Sequence, residues 1–139
     1  MSKDHHIDGV IKFSARFGVP LAERPTLLDY ELFLYRLQFL HEELHEFLQA
    51  HRSGNLVEAA DALLDLEYVL HGTAAMMGLG RRWHDLWRCV HLANMAKVPA
   101  PSMAASKRKS QYDIVKPLGW RGPEEQLRKI IAQEIDDAR

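Results

Sequence analysis

The sequence predicts an all-α protein, a helical bundle with four to five helices. Three observations predict it. Apolar residues recur at three- and four-residue spacings in successive segments, no segment sustains the alternation of a strand, and Gly, Pro, Ser and Asn stand between the periodic stretches where helices start and stop. With 139 residues, 47% of them hydrophobic, the chain is long enough for one core and short for two, so residues 1–139 are expected to form a single domain.

The first helix is expected over about Asp4 to Phe17, with Ile7, Val10, Ile11, Phe13 and Phe17 on its apolar side and Gly18 and Pro20 ending it. Phe13 and Phe17 are read mainly as core packing, with the wall of a base pocket as the alternative. Thr26, just after Pro25, is the expected N-cap of a second helix from Leu27 to His51, and Asp29 and Glu31 suit its positive end. Its stripe of Phe33, Leu37, Leu40, Leu44, Phe47 and Leu48 must pack on something. Ser53 and Gly54 stop that helix, and Asn55 caps a third, which is rich in Ala, Leu and Met and runs to about Gly78. A fourth spans about Trp83 to Lys97. From Pro99 to Gly122 the chain turns to scattered Pro, Ser and Gly with a basic cluster at Lys107, Arg108 and Lys109, which predicts a long functional loop over 99–122. Pro123, followed by Glu124 and Glu125, opens a last helix carrying Leu127, Ile130, Ile131 and Ile135.

The formal net charge of −1 gives no general reason for nucleic acid to be the partner and favours a small molecule. Cys89 is the single cysteine, so no intrachain disulfide forms and the reducing cytoplasm is the expected compartment; its apolar helical setting reads as a buried thiol rather than a nucleophile. Lys3, Asp4, His5, His6 and Asp8 interrupt any signal-peptide core near the start, and no run reaches the roughly 18 apolar residues of a membrane span.

Carboxylates carry the functional signal. Glu42, Glu43 and Glu46 form E-E-x-x-E on the second helix, and at about 100° per residue Glu43 sits at the edge of the apolar stripe with Glu46 roughly 60° further round. On the third helix Glu58, Asp61 and Asp65 fall within roughly 60°, while Glu67 points to the opposite side. Ionised carboxylates are rarely buried unless paired or metal-bound, and the neighbours one turn away are mostly Asn, Ala, Leu and Val. Clustered acidic oxygens select hard cations, Mg²⁺ above all, held together with water and substrate phosphates. The opposing reading is two solvated acidic faces.

Five pieces in order resemble the all-α NTP pyrophosphohydrolase superfamily of MazG-like enzymes, dimeric dUTPases and phosphoribosyl-ATP pyrophosphohydrolases. They are FGVPLAERPTL at 17–27, HEELHEF at 41–47, ADALLDLEYVLHGTAAMMGLG at 60–80, VHLANMAK at 90–97 and IVKPLGW at 114–120. The resemblance implies a metal-dependent enzyme that cleaves a (deoxy)nucleoside triphosphate between its α and β phosphates, with dUTP or dGTP as leading substrates. It implies Mg²⁺, with Mn²⁺ able to substitute, and a homodimer or homotetramer, since a few short helices bury little core alone. It places metal ligands at Glu43 and Glu46 and the acid that orients or deprotonates water at Glu42. In the second motif Glu58 to Asp61 fits E-x-x-D by spacing, whereas alignment through DLEYVLHGT puts Asp65 at the aspartate with Ala62 where a glutamate is expected. Asp61 and Asp65 are taken as ligands, with Glu58 in reserve. Substrate contacts are implied at Asn94, Lys97, Lys116 and Trp120.

Two other readings come from the residues alone. His41, Glu42, Glu43, Leu44 and His45 spell H-E-x-x-H, the zinc-protease helix motif, here without a sheet scaffold. A non-catalytic helical module that dimerises through its apolar faces would leave the acids as plain surface.

Overall fold

The second helix starts later than expected, and the reason lies in the loop before it. In the computed structural model, which describes residues 5–139, α2 runs Tyr30–Arg52 and its N-cap is Asp29, whose carboxylate accepts from the Leu32 N–H. Thr26 is not the cap. Its N–H donates to the Met77 carbonyl at 3.0 Å, and Ala22 N–H donates to the Met76 carbonyl at 3.3 Å. Those bonds hold the segment around Pro25 against the end of α3 (Leu56–Met76) in a non-helical path. Gly78, with φ +72°, lets that path pass, because a Cβ there would strike the backbone of Arg24 and Pro25. Of the expected first helix, Asp4 lies outside the described residues, and α1 spans His5–Phe17.

The described residues divide into two compact units, 5–83 with 134–139, and 84–133. In the first unit α3 is central. Its buried residues are small over most of its length, with Ala59, Ala62, Gly72, Ala74 and Ala75 among them, so the backbones of α1 and α2 can come close. Asn55 caps α3 as the sequence predicts, accepting from the Glu58 N–H. Arg36 ties α2 to α3, donating from Nε to Thr73 Oγ1 at 3.1 Å and from Nη2 to the Val69 carbonyl at 2.8 Å. The pairing of residue 36 with 69–73, and the short turn between residues 52 and 56, make α2 and α3 an antiparallel hairpin. A 3₁₀ turn at Gly80–Arg82 closes the unit, and Arg81 pairs with the buried Glu134 at 3.8 Å.

The stripe of α2 is covered only in part. Leu40 and Phe47 are half-buried, but Phe33, Leu37, Leu44 and Leu48 are exposed, as are Leu63 and Leu64 on α3.

In the second unit α4 (Trp83–Met95) leads into a two-residue ladder, β1 (Val98–Pro99) antiparallel to β2 (Ile114–Val115), with Val98 opposite Val115 and Pro99 opposite Ile114. The stretch expected as a long loop is tied at its base by this ladder and inside by buried Ser106, which donates to Asp113 Oδ2 at 2.6 Å and accepts from the N–H groups of Arg108 and Ser110. Arg108 closes on the other oxygen of Asp113 at 2.7 Å. The last helix, α5, runs Glu124–Asp137. Among the described residues no helix is long and apolar enough to cross a membrane.

Candidate active site

The α2–α3 hairpin brings both acid sets to one place. Glu43 is the residue that records it: its Oε2 is buried and has no hydrogen-bond partner among the described residues. Burial is the largest cause raising its carboxyl above the ordinary range, followed by the negative charges of Glu46, Asp65, Glu42 and Asp61 in that order. Two of those acids belong to α2 and two to α3, so Glu43 stands where the helices face each other. Glu58 is not among the charges acting on it; it lies in the first turn of α3, its N–H taken by the Asn55 cap.

A buried carboxylate oxygen without a donor is costly, and here like charges surround it. The donor set is all carboxylate, the chemistry that Mg²⁺ selects, and a divalent cation would satisfy the orphaned oxygen and offset the repulsion. The fit is therefore good on chemistry. Among the described residues no three His, Cys, Asp or Glu side chains already converge on one ion-sized point.

Glu42 is exposed, and Gln38, one turn earlier, donates to its Oε1 at 2.9 Å. Gln38 is not among the residues singled out from the sequence; its i,i+4 spacing from Glu42 is the signal that could have found it. Arg36 was missed too. It lies seven residues before Glu43 on the same face of α2, about 10 Å along the axis. Burial lowers its guanidinium from the ordinary value, and the rings of Tyr35 and Phe39 flank it at 6.0 and 5.5 Å. Gly72 leaves the space its Nη2 occupies.

Phe13 and Phe17, expected chiefly in the core, are exposed and form an aromatic cluster with Tyr68 of α3, the ring centroids 4.6 Å apart in the first pair and 5.5 Å between Phe13 and Tyr68. His41 and His45 border an apolar groove on the outside of α2 with Leu44, Phe47, Leu48 and His51, and His45 meets Gln49 at 3.3 Å. A cavity of about 510 Å³ in the same unit, bordered by Ile11, Leu21, Ala75, Gly80 and Arg81, sits at the far end of α3, ten residues beyond Asp65, and involves none of the acids.

The second unit assembles the other expected residues. Trp120 donates its indole N–H to the Ala93 carbonyl at 2.8 Å, and Lys97 and Lys116 place their ammonium groups 5.3 and 4.6 Å from its ring centroid. Asn94, exposed, follows Ala93 at the end of α4 and accepts the Lys97 N–H on its carbonyl at 3.1 Å.

Residues 10–94, from α1 through all the acids to Asn94, match the family model described as phosphoribosyl-ATP pyrophosphohydrolase. The chain belongs to the phosphoribosyl-ATP pyrophosphohydrolase family. That family lies within the all-α, MazG-like NTP pyrophosphohydrolase superfamily, and the five-helix architecture agrees with it. No curated protein matches the chain. As a phosphoribosyl-ATP pyrophosphohydrolase family member the protein is an enzyme, a nucleotide pyrophosphohydrolase, which sets aside both the non-catalytic module and the H-E-x-x-H hydrolase. The matched span ends before Lys97, Lys116 and Trp120, so the family model says nothing of those three.

Proposed function

We propose that the chain hydrolyses a (deoxy)nucleoside triphosphate between the α and β phosphates, releasing a nucleoside monophosphate and pyrophosphate, with dUTP or dGTP as leading substrates and Mg²⁺ as cofactor, replaceable by Mn²⁺. The observation that carries this reading is the orphaned, buried Glu43 oxygen among four further carboxylates on two facing helices.

Glu43, Glu46, Asp61 and Asp65 would hold the cation. When bound, Mg²⁺ supplies charge neutralisation for the polyphosphate and a lowered pKa for a coordinated water. Glu42, steadied by Gln38 and open to solvent, accepts a proton from the attacking water and orients its lone pair toward the α-phosphorus. The new water–phosphorus bond forms as the bond to the bridging oxygen breaks, and that oxygen leaves with pyrophosphate. Asn94 meets the sugar, Lys97 and Lys116 meet phosphates, and Trp120 serves the same contact. The exposed Phe13, Phe17 and Tyr68 rings offer a stacking surface for a base. The uncovered leucines of α2 and α3 support self-association as a homodimer or homotetramer.

The test is a panel of ribo- and deoxyribonucleoside triphosphates with Mg²⁺ or Mn²⁺, products resolved by ion-exchange chromatography. The reading expects monophosphate plus pyrophosphate, fastest with dUTP or dGTP; diphosphate plus orthophosphate, or no turnover of any triphosphate, would overturn it.

A further inference from the structure

The register of the two-residue ladder sets two like charges against each other. Val98 faces Val115, so continuing the register by one residue puts Lys97 opposite Lys116. Like charges directly opposite on adjacent strands repel. Neither lysine has a carboxylate within ion-pair distance among the described residues, yet both are drawn to one place, the Trp120 ring, at 5.3 and 4.6 Å from its centroid. Both distances lie within the range at which a ring quadrupole attracts an ammonium.

The ring is itself fixed. Pro117 to Trp120 form a turn closed by the Trp120 N–H to the Pro117 carbonyl at 3.1 Å, with Gly119 at φ +77°, the left-handed position that a type II turn requires at its third residue. That turn carries the indole back to α4, where its N–H satisfies the Ala93 carbonyl in the helix's last turn.

We propose that Trp120 is a positioning residue, a template that holds Lys97 and Lys116 side by side as one receptor for the charge of a polyphosphate. The inference rests on the reading above that these lysines meet substrate phosphates. It differs in giving Trp120 no direct contact with the ligand: the indole acts only through the two ammonium groups, keeping together cations that would otherwise separate.

The experiment titrates the full chain with inorganic pyrophosphate by calorimetry, without metal, alongside KM and kcat for the best triphosphate. The lysine pair is tested by K97Q/K116Q and the template by W120L, with W120Y and W120F as milder variants that keep an aromatic face. W120L is expected to weaken pyrophosphate binding and raise KM about tenfold with kcat within about twofold. Added to K97Q/K116Q it should cause no further loss, and W120Y and W120F should fall between wild type and W120L. In the wild-type chain the Trp120 indole N–H resonance, identified by its disappearance in W120F, should shift on adding pyrophosphate and should not shift in K97Q/K116Q. Unchanged binding in K97Q/K116Q would overturn the phosphate role of the lysines, and this proposal with it. A lysine effect without any Trp120 effect would overturn the template alone, as would additive losses, which would mean that the indole touches the ligand itself. Should W120L fail to fold, equal affinity in W120Y, W120F and wild type would also overturn the template.

Discussion

At Glu43 a carboxylate oxygen is taken out of water without a donor and set among four other acids. Because burial first, and those charges second, raise its pKa, the folded chain holds this proton more tightly than the unfolded one. The stability this group contributes is therefore full below its unfolded pKa and is lost as pH rises through its folded pKa. E43Q should accordingly raise the melting temperature of the metal-free protein at pH 7 by roughly 1–3 °C, with the difference shrinking toward pH 4. Mg²⁺ should stabilise the wild type and leave E43Q unmoved, as thermal melts with and without the ion will show. The acid spacing on α2, and its place beside an apolar stripe, were legible as angles around one helix. Arg36 was not legible, because its partners are a threonine and a main-chain carbonyl more than thirty residues away, and a lone arginine leaves no pattern in the sequence. The exposed position of Phe13 and Phe17 was equally hidden, since apolar periodicity marks a face but not what covers it.

The elements show where local signals were overruled. Thr26 and Asp29 are both good N-caps, and the contest was decided by tertiary hydrogen bonds from Ala22 and Thr26 to the end of α3. D29A should cost about 1 kcal/mol in a denaturant melt, while T26A should cost much less. Gly78→Ala should be worse than either, because its φ of +72° disfavours a side chain and the added carbon meets Arg24 and Pro25. The 99–122 stretch is expected from its Pro, Ser and Gly content to be a long functional loop, and its internal order comes from a short ladder and a buried network that composition does not reveal. The Ser106 hydroxyl chiefly, then Arg108 and the Ile114 N–H, hold the Asp113 carboxyl below its usual range against an opposing effect of burial. That contribution is present above the unfolded pKa of Asp113 and is lost as pH falls through its lower folded pKa. D113N should open the segment at neutral pH, seen as faster amide exchange across residues 100–116, and the wild type should match it only in strong acid.

In the molecule as a whole, the α2–α3 hairpin carries the facing acids and leaves much of its own apolar surface uncovered. Leu44 is 51% exposed and Leu64 61%, which one chain in water would not favour, and sedimentation equilibrium should give a dimer or tetramer rather than a monomer. The helical class was readable because it depends on period alone; the meeting of Glu43 with Asp61 and Asp65 depends on how two helices face, which spacing within each helix cannot fix. The central claim is that this meeting is the catalytic centre. Its most direct test is pyrophosphate release from the preferred triphosphate with Mg²⁺, measured for wild type, E43Q and D65N at matched helical circular dichroism. Turnover should fall by at least about a thousandfold in both variants, as expected when ligands of a catalytic cation are lost; activity within tenfold of wild type in both would contradict the account.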